Sequence, residues 1–382
     1  MPAETGTPRA DTLGRLRMPA HASEPAAPIQ LPLREHVLLG PYTTFGIGGP
    51  ARWFAAITAE EQLPAAFCWA AAQGLPVFVL GGGSNLLVAD AGFPGLVLHI
   101  ALRGVESDGM GLFRVAAGER WDHFVDRAVE QNCAGIECLA GIPGTVGGTP
   151  VQNVGAYGQE VSQTITQVRC FDRQGGEFVE MASDACAFSY RSSRFNTGPD
   201  TGRFVVTRVD FQLRPGGEPN LAYADLKQYF LKSSQVTDVY QVARAVREIR
   251  ARKGMVIAET ALADRDPDTR SAGSFFKNPV VPCAVYEAIA RAFSSVPSYP
   301  APDAPDGTPQ RKLAAAWLLE QAGFAKGFAL GRAAVSSKHT LALTNRSGDA
   351  SAADILALRD RLVDGVRERF GIVLVPEPIF LG

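Results

Sequence analysis

An α+β protein of two or more domains is predicted, on three observations. Strand-like apolar runs and helix-spaced segments follow one another without any repeating unit. The chain, at 382 residues, is longer than one hydrophobic core usually serves. Its composition, 46% apolar and 20% charged, is that of an ordinary globular protein.

The elements follow in order. Residues 1–36, rich in Ala, Pro, Thr and Arg with no apolar core, read as a disordered extension. Arg52–Ile57 has strand character, Ala59–Gly74 reads as a helix interrupted by Pro64, and Pro76–Leu80 is a buried strand running into Gly81-Gly82-Gly83-Ser84-Asn85. GLVLHI and LFRVAAG continue as strands, and Trp121–Asn132 has helical spacing. A hairpin turns at Gly175-Gly176, Arg203–Leu213 is another strand, and Arg214–Asn220 is a loop. A domain boundary is expected between that loop and Thr237, giving domains 37–240 and 241–382. Helices are expected at Val239–Arg252, Val285–Phe293, Lys312–Ala322 and Ser351–Phe370, with a Pro/Asp loop over Val296–Pro309 and a strand at TLALTN.

Several function classes fall away. A net charge of −2 supplies no basic field for nucleic acid. No apolar run approaches the ~20 residues that span a bilayer. The six cysteines form no CxxC pair, so no metal site is expected, and reduced thiols in a cytoplasmic protein are the natural reading.

Glycine clusters point to close backbone approach. LGGGSNLL (Leu80–Leu87) follows a strand but lacks a GxGxxG opening a helix, and no GxxxxGK[ST] occurs. It is either a nest of N–H groups for a phosphate or a plain tight turn. AGIPGTVGGTPVQNVGAYGQE (Ala140–Glu160) spaces apolar anchors evenly through a glycine-rich loop, as backbone lining a flat or pyrophosphate-bearing ligand would. AGSFFKNP (Ala272–Pro279) reads alone as a strand end, with Phe275 and Phe276 in the core. Arg250 and Lys253, three apart on one helix, are either an anion-binding pair or a solvated basic end.

TTFGIGGPA, GGGSN, AGIPGTVGGTPVQNVGAYG, SYRSSRF, AGSFFKNP and the terminal VPEP resemble, in that order, the UDP-N-acetylenolpyruvoylglucosamine reductase family, type I branch. The resemblance covers Leu38–Gly382. It implies a vanillyl-alcohol-oxidase-type FAD-binding fold of two lobes, then a C-terminal α+β substrate domain whose last strand returns to the active site. It implies reduction of UDP-N-acetylglucosamine enolpyruvate with NADPH through FAD, by a cytoplasmic monomer. FAD would be held by Gly81, Gly82, Gly83, Ser84, Asn85, Gly141, Gly144, Gly147, Gly148, Gln152, Asn153, Gly155, Ala156 and Tyr157. Tyr190, Tyr223, Arg250, Lys253 and Asn278 would bind substrate, with Tyr223 on a closing loop, LAYADL (Leu221–Leu226). Arg191 and Glu377 would stabilise an enolate that Ser274 protonates, with the Glu377 carboxyl raised in pKa. Ala224, Ser192 and Val375 depart from the family pattern without removing a catalytic group. A related FAD oxidoreductase on another substrate and a non-catalytic nucleotide-sugar sensor are the alternatives.

Overall fold

The computed structural model describes residues 30–231, 238–258 and 264–382. The first 29 residues of the expected extension, and residues 232–237 of the expected inter-domain stretch, lie outside the described residues.

Two sheets build the first half. One orders the strands 34–38, 50–57, 93–100 and 77–80, antiparallel at the first pairing and parallel thereafter. The other is wholly antiparallel, ordered 177–182, 165–172, 204–212, 112–116 and 105–107. The strand Arg34–Leu38 corrects the expected extension: Arg34 pairs with Phe54, and Leu31 and Leu33 pack on the core. Edge pairing and a few apolar contacts order this segment, although its own sequence carries no periodicity.

Helices α1 (Gln62–Ala72) and α2 (Trp121–Glu130) cover these sheets. Pro64 does not interrupt α1, because it is the third residue and its missing N–H belongs to the unpaired first turn. Helix α3 (Ala224–Phe230) starts inside the expected loop LAYADL, with Tyr223 as its N-cap, so that motif is a helix start. Helix α4 (Val239–Arg252) has the predicted bounds and is capped by Asp238, whose side chain accepts the Gln241 N–H.

Burial shows which core α4 joins. Val239, Val242, Ala243, Val246 and Ile249 of α4 lie in the same core as Trp121, Phe124 and Phe211, so α4 belongs to the first half. A second core gathers Phe275, Phe276, Leu313, Leu318, Ile355 and Leu362, and draws in Phe45, Ile47 and Leu87 from the N-terminal part. Around it lie α5 (Cys283–Ala292), α6 (Ala315–Gln321) and α7 (Ala352–Phe370). Helix α7 opens on a Ser351–Asp354 capping box and closes on Gly371 in the left-handed region. Two sequence expectations need correction in this half. Lys312 belongs to a strand, Gln310–Leu313, and the Pro/Asp loop contains a strand, Ser298–Pro300, paired to it. Among the described residues no helix is long and apolar enough to cross a membrane.

Candidate active site

The terminal segment joins the halves. Glu377 N–H donates to Phe275 O at 2.8 Å, Lys277 N–H donates to Val375 O at 2.9 Å, and Phe276 bridges Pro376. Two residues on, Ile379–Leu381 pairs in parallel with Leu86–Val88, and Ile379 N–H donates to Asn85 O at 2.9 Å. Phe275 and Phe276, at 0% and 1% exposure, anchor this junction in the second core. AGSFFKNP is therefore a clamped loop rather than a strand end. Thr44 ties it to the first glycine loop from the other side: its N–H donates to Gly83 O at 3.2 Å and its Oγ1 to Ser271 O at 2.5 Å. Ser274, half-buried, follows Gly273, whose φ of 71° turns the chain into the clamp.

Arg191 reaches this junction from the second sheet's side. Tyr190 and Arg191 occupy a two-residue turn closed by reciprocal Ser189–Ser192 hydrogen bonds of 2.9 and 3.1 Å. Arg191 has φ of 55°, a conformation that costs a non-glycine residue about 1–3 kcal/mol and persists only where the surroundings impose it. They do impose it: Asn153 Nδ2 donates to Ser189 O at 3.1 Å, and Arg191 Nη2 donates to Gly155 O at 2.9 Å. Arg191 Nε lies 3.3 Å from Glu377 Oε1 but makes no hydrogen bond, a buried donor left over. Burial pushes the Glu377 carboxyl above its ordinary pKa, against the opposing pull of Arg191 and Lys277.

The two glycine loops do different work. Gly82 and Gly83 are dictated by packing: a Cβ on Gly82 would fall 2.6 Å from Gly144 Cα, and one on Gly83 would fall 1.9 Å from Tyr42 O. The N–H groups of Gly82, Gly83, Ser84 and Asn85 find no acceptor among the described residues, which fits an anion in a nest. Three donors of the second loop are taken up within the protein: Gly141 N–H goes to Asp122 of α2, Gly147 to Ala117 O and Gly148 to Thr145 O. A Cβ on Gly147 would meet Ala117 Cβ at 2.5 Å, so close packing dictates glycine there. Asn85 Nδ2 joins the loops, donating to Gln152 Oε1 at 3.1 Å and to Glu377 O at 3.3 Å. Asn153, at 1% exposure with its amide bonded to Glu160, Ser189 and Ser162, shapes the Arg191 turn.

The expected substrate contacts also separate. Arg250, buried, donates to Gly141 O at 3.2 Å and Met255 O at 3.1 Å, and the Tyr157 hydroxyl is among the groups that act on its charge. Lys253 donates to Asp225 Oδ2 at 2.9 Å and sits 5.8 Å from the Tyr157 ring. Tyr157 and Tyr223 meet edge-to-face at 5.3 Å, so Tyr157 groups with Tyr223, Arg250 and Lys253 rather than with the nest. Asn278 turns inward in part: its Oδ1 caps α6 by accepting the Ala315 N–H at 2.9 Å. Two residues were missed by sequence reasoning. Lys312 Nζ stands 4.3 Å from the Tyr190 ring centroid and 5.9 Å from that of Tyr299. Their only signal was a tyrosine within the Pro/Asp loop and a lysine just after it.

The family described as the UDP-N-acetylenolpyruvoylglucosamine reductase C-terminal domain matches residues 266–381, and an FAD binding domain matches residues 51–182. The UDP-N-acetylenolpyruvoylglucosamine reductase of Streptomyces coelicolor is 45% identical, over 98% of this chain and 97% of its own. That of Mycobacterium tuberculosis is 44% identical, over 92% and 95% respectively. The crystal structure of UDP-N-acetylenolpyruvylglucosamine reductase from Thermus caldophilus aligns with a TM-score of 0.61 at 28% identity, covering 92% of this chain and 100% of that one.

Proposed function

The chain belongs to the UDP-N-acetylenolpyruvoylglucosamine reductase family, FAD oxidoreductases of peptidoglycan precursor synthesis built on a vanillyl-alcohol-oxidase-type fold, and from this premise we propose how its residues divide the reaction. The substrate is UDP-N-acetylglucosamine enolpyruvate and the reductant NADPH. FAD, when bound, would supply the redox chemistry, hydride transfer between NADPH and the enolpyruvyl group.

The nest of Gly82, Gly83, Ser84 and Asn85 would hold the diphosphate of FAD, and the second glycine loop would supply close-packed backbone along the cofactor. Arg191 is aimed at the substrate carboxylate, where negative charge grows as the enolate forms. Its unused Nε–H is the observation that carries this reading, since a buried donor without an acceptor waits for one. Glu377, raised in pKa, shares a proton with that carboxylate instead of repelling it. Ser274 then gives its hydroxyl proton to the carbon bearing the ether oxygen; an enolate is basic enough for so weak an acid. Tyr223, Lys253 and Arg250 gather near the substrate diphosphate, and Tyr190, Tyr299 and Lys312 line the approach. All six cysteines are free, which supports a reducing cytoplasm, and we take the working unit as a monomer.

Stopped-flow absorbance of the flavin separates the half-reactions. Ser274→Ala is expected to be reduced by NADPH at the wild-type rate and to be reoxidised by the enolpyruvyl substrate ~10²–10⁴-fold more slowly. Normal reoxidation would remove Ser274 from the chemistry.

A further inference from the structure

One histidine beside this site has no part in the steps above. His339 lies in the turn 336–341, which faces the Ser274 loop. Its Nδ1 accepts the Leu341 N–H at 3.0 Å, and the C=O of the same Leu341 accepts the Phe275 N–H at 2.7 Å. Phe275 follows Ser274 directly. The His339 backbone is fixed in turn, its N–H donating at 3.2 Å to Oγ of Ser336, a fully buried residue that also takes the Lys338 N–H at 3.1 Å. A run of bonds thus connects an imidazole nitrogen to the residue after the proton donor.

This linkage demands a lone pair on Nδ1, because a second N–H there would face the Leu341 N–H. The surroundings keep it available. Burial first, then Lys253, Lys326 and Arg250, push the ring down to a pKa of about 4. We propose that His339 is a positioning residue: through its Nδ1 acceptor it sets the Leu341 main chain, which holds Phe275 and so aims the Ser274 hydroxyl at the substrate. This rests on the reading of Ser274 as proton donor.

The test uses the full-length, FAD-loaded protein with NADPH and UDP-N-acetylglucosamine enolpyruvate. His339→Leu removes the acceptor at similar volume, His339→Ala repeats the loss without a side chain to bury, and His339→Asn puts Oδ1 near the place of Nδ1. Flavin reduction is expected within ~2-fold of wild type in all three, because it makes no use of the serine. Reoxidation at saturating substrate is expected to fall about 10–100-fold in the Leu and Ala variants, the size of effect that a misplaced group produces, and to recover most of its rate in Asn. On a Ser274→Ala background His339→Leu is expected to add less than ~3-fold, since both act through one proton. Hydrogen exchange over residues 272–278, which needs no activity, is expected to quicken in Leu and Ala but not in Asn. Normal reoxidation in the Leu and Ala variants, a defect confined to substrate affinity, an additive double variant, or unaltered exchange would each overturn the proposal. Normal reoxidation by Ser274→Ala alone is a separate result, and it would remove the serine assignment and this inference together.

Discussion

Two arginine–carboxylate pairs in this molecule look alike in composition and behave in opposite ways. Arg203 grips Asp172 through two hydrogen bonds, Nε to Oδ1 at 2.9 Å and Nη2 to Oδ2 at 2.6 Å, and also reaches Asp200. Asp172 accepts the Gln174 N–H as well, and Arg203 leads the causes that hold its carboxyl well below the usual carboxylate range. Arg191 approaches Glu377 at 3.3 Å without a hydrogen bond, and there burial wins and the carboxyl moves up. The difference is in bonds made per charge. A saturated pair fixes the end of the 165–172 and 177–182 hairpin, whereas an unsaturated pair keeps its capacity for something that arrives later.

The largest expected effect separates the two pairs by function. Glu377→Gln keeps the shape but cannot exchange a proton with the substrate carboxylate, so reoxidation is expected to slow by ~10²-fold or more while reduction by NADPH is spared. Asp172→Asn is expected to do the reverse, leaving both half-reactions at wild-type rates and lowering the melting midpoint by roughly 3–10 °C. A kinetic defect in the Asn variant would break the comparison.

Acid titration sharpens it further. The depressed Asp172 carboxyl contributes stability that is present above the unfolded value near ~3.9 and lost as pH falls toward its folded value. The gap between wild type and Asp172→Asn should therefore close below about pH 4. Glu377 has the opposite sign: its ionised form is penalised in the fold, so stability is greater below the unfolded value near ~4.3 and falls as pH rises through the raised folded value. Glu377→Gln is accordingly expected to melt no lower than wild type at pH 7–8, with any advantage vanishing in acid. A clear loss of stability at neutral pH would show that Arg191 contributes more to holding Glu377 than burial takes away. Of all these effects this is the smallest.

Much of the fold could be read from the chain, because long periodic segments announce themselves. Helix α4 has its predicted ends, and the glycine runs lie where backbones approach too closely to leave room for a Cβ. Membership was harder to read. The Pro/Gly stretch Arg214–Asn220 resembles a linker, yet Asn220 N–H donates to the fully buried Glu137, and α4 beyond it returns to the first core. Composition reports that a chain turns there but not where it goes next. The part Asn153 plays in the Arg191 turn was illegible for a similar reason: an amide in a glycine loop has the same sequence signature whether it meets a ligand or locks a neighbouring turn. Arg191, Ser274 and Glu377 became candidates through family resemblance alone, since no spacing joins residues 83 and 103 positions apart. Tyr299 stayed hidden because a three-residue strand containing proline leaves no periodicity to detect, and Lys312 because its short strand, Gln310–Leu313, runs straight into α6 and reads as the start of that helix.

The union of Asn85 with the Glu377 strand has a consequence for how the protein is made. These partners stand 292 residues apart. A ribosome adding ~5–20 residues per second leaves an interval of about 15–60 s between the synthesis of one and of the other. Throughout that time Leu86–Val88 is an unpaired strand edge, and the nest beside it lacks the wall that Glu377 completes. Any nascent chain stalled before residue 376 holds a glycine loop but no second carboxylate and no clamp on the serine. The junction therefore closes only once residues 377–381 have been made, whatever has folded before them.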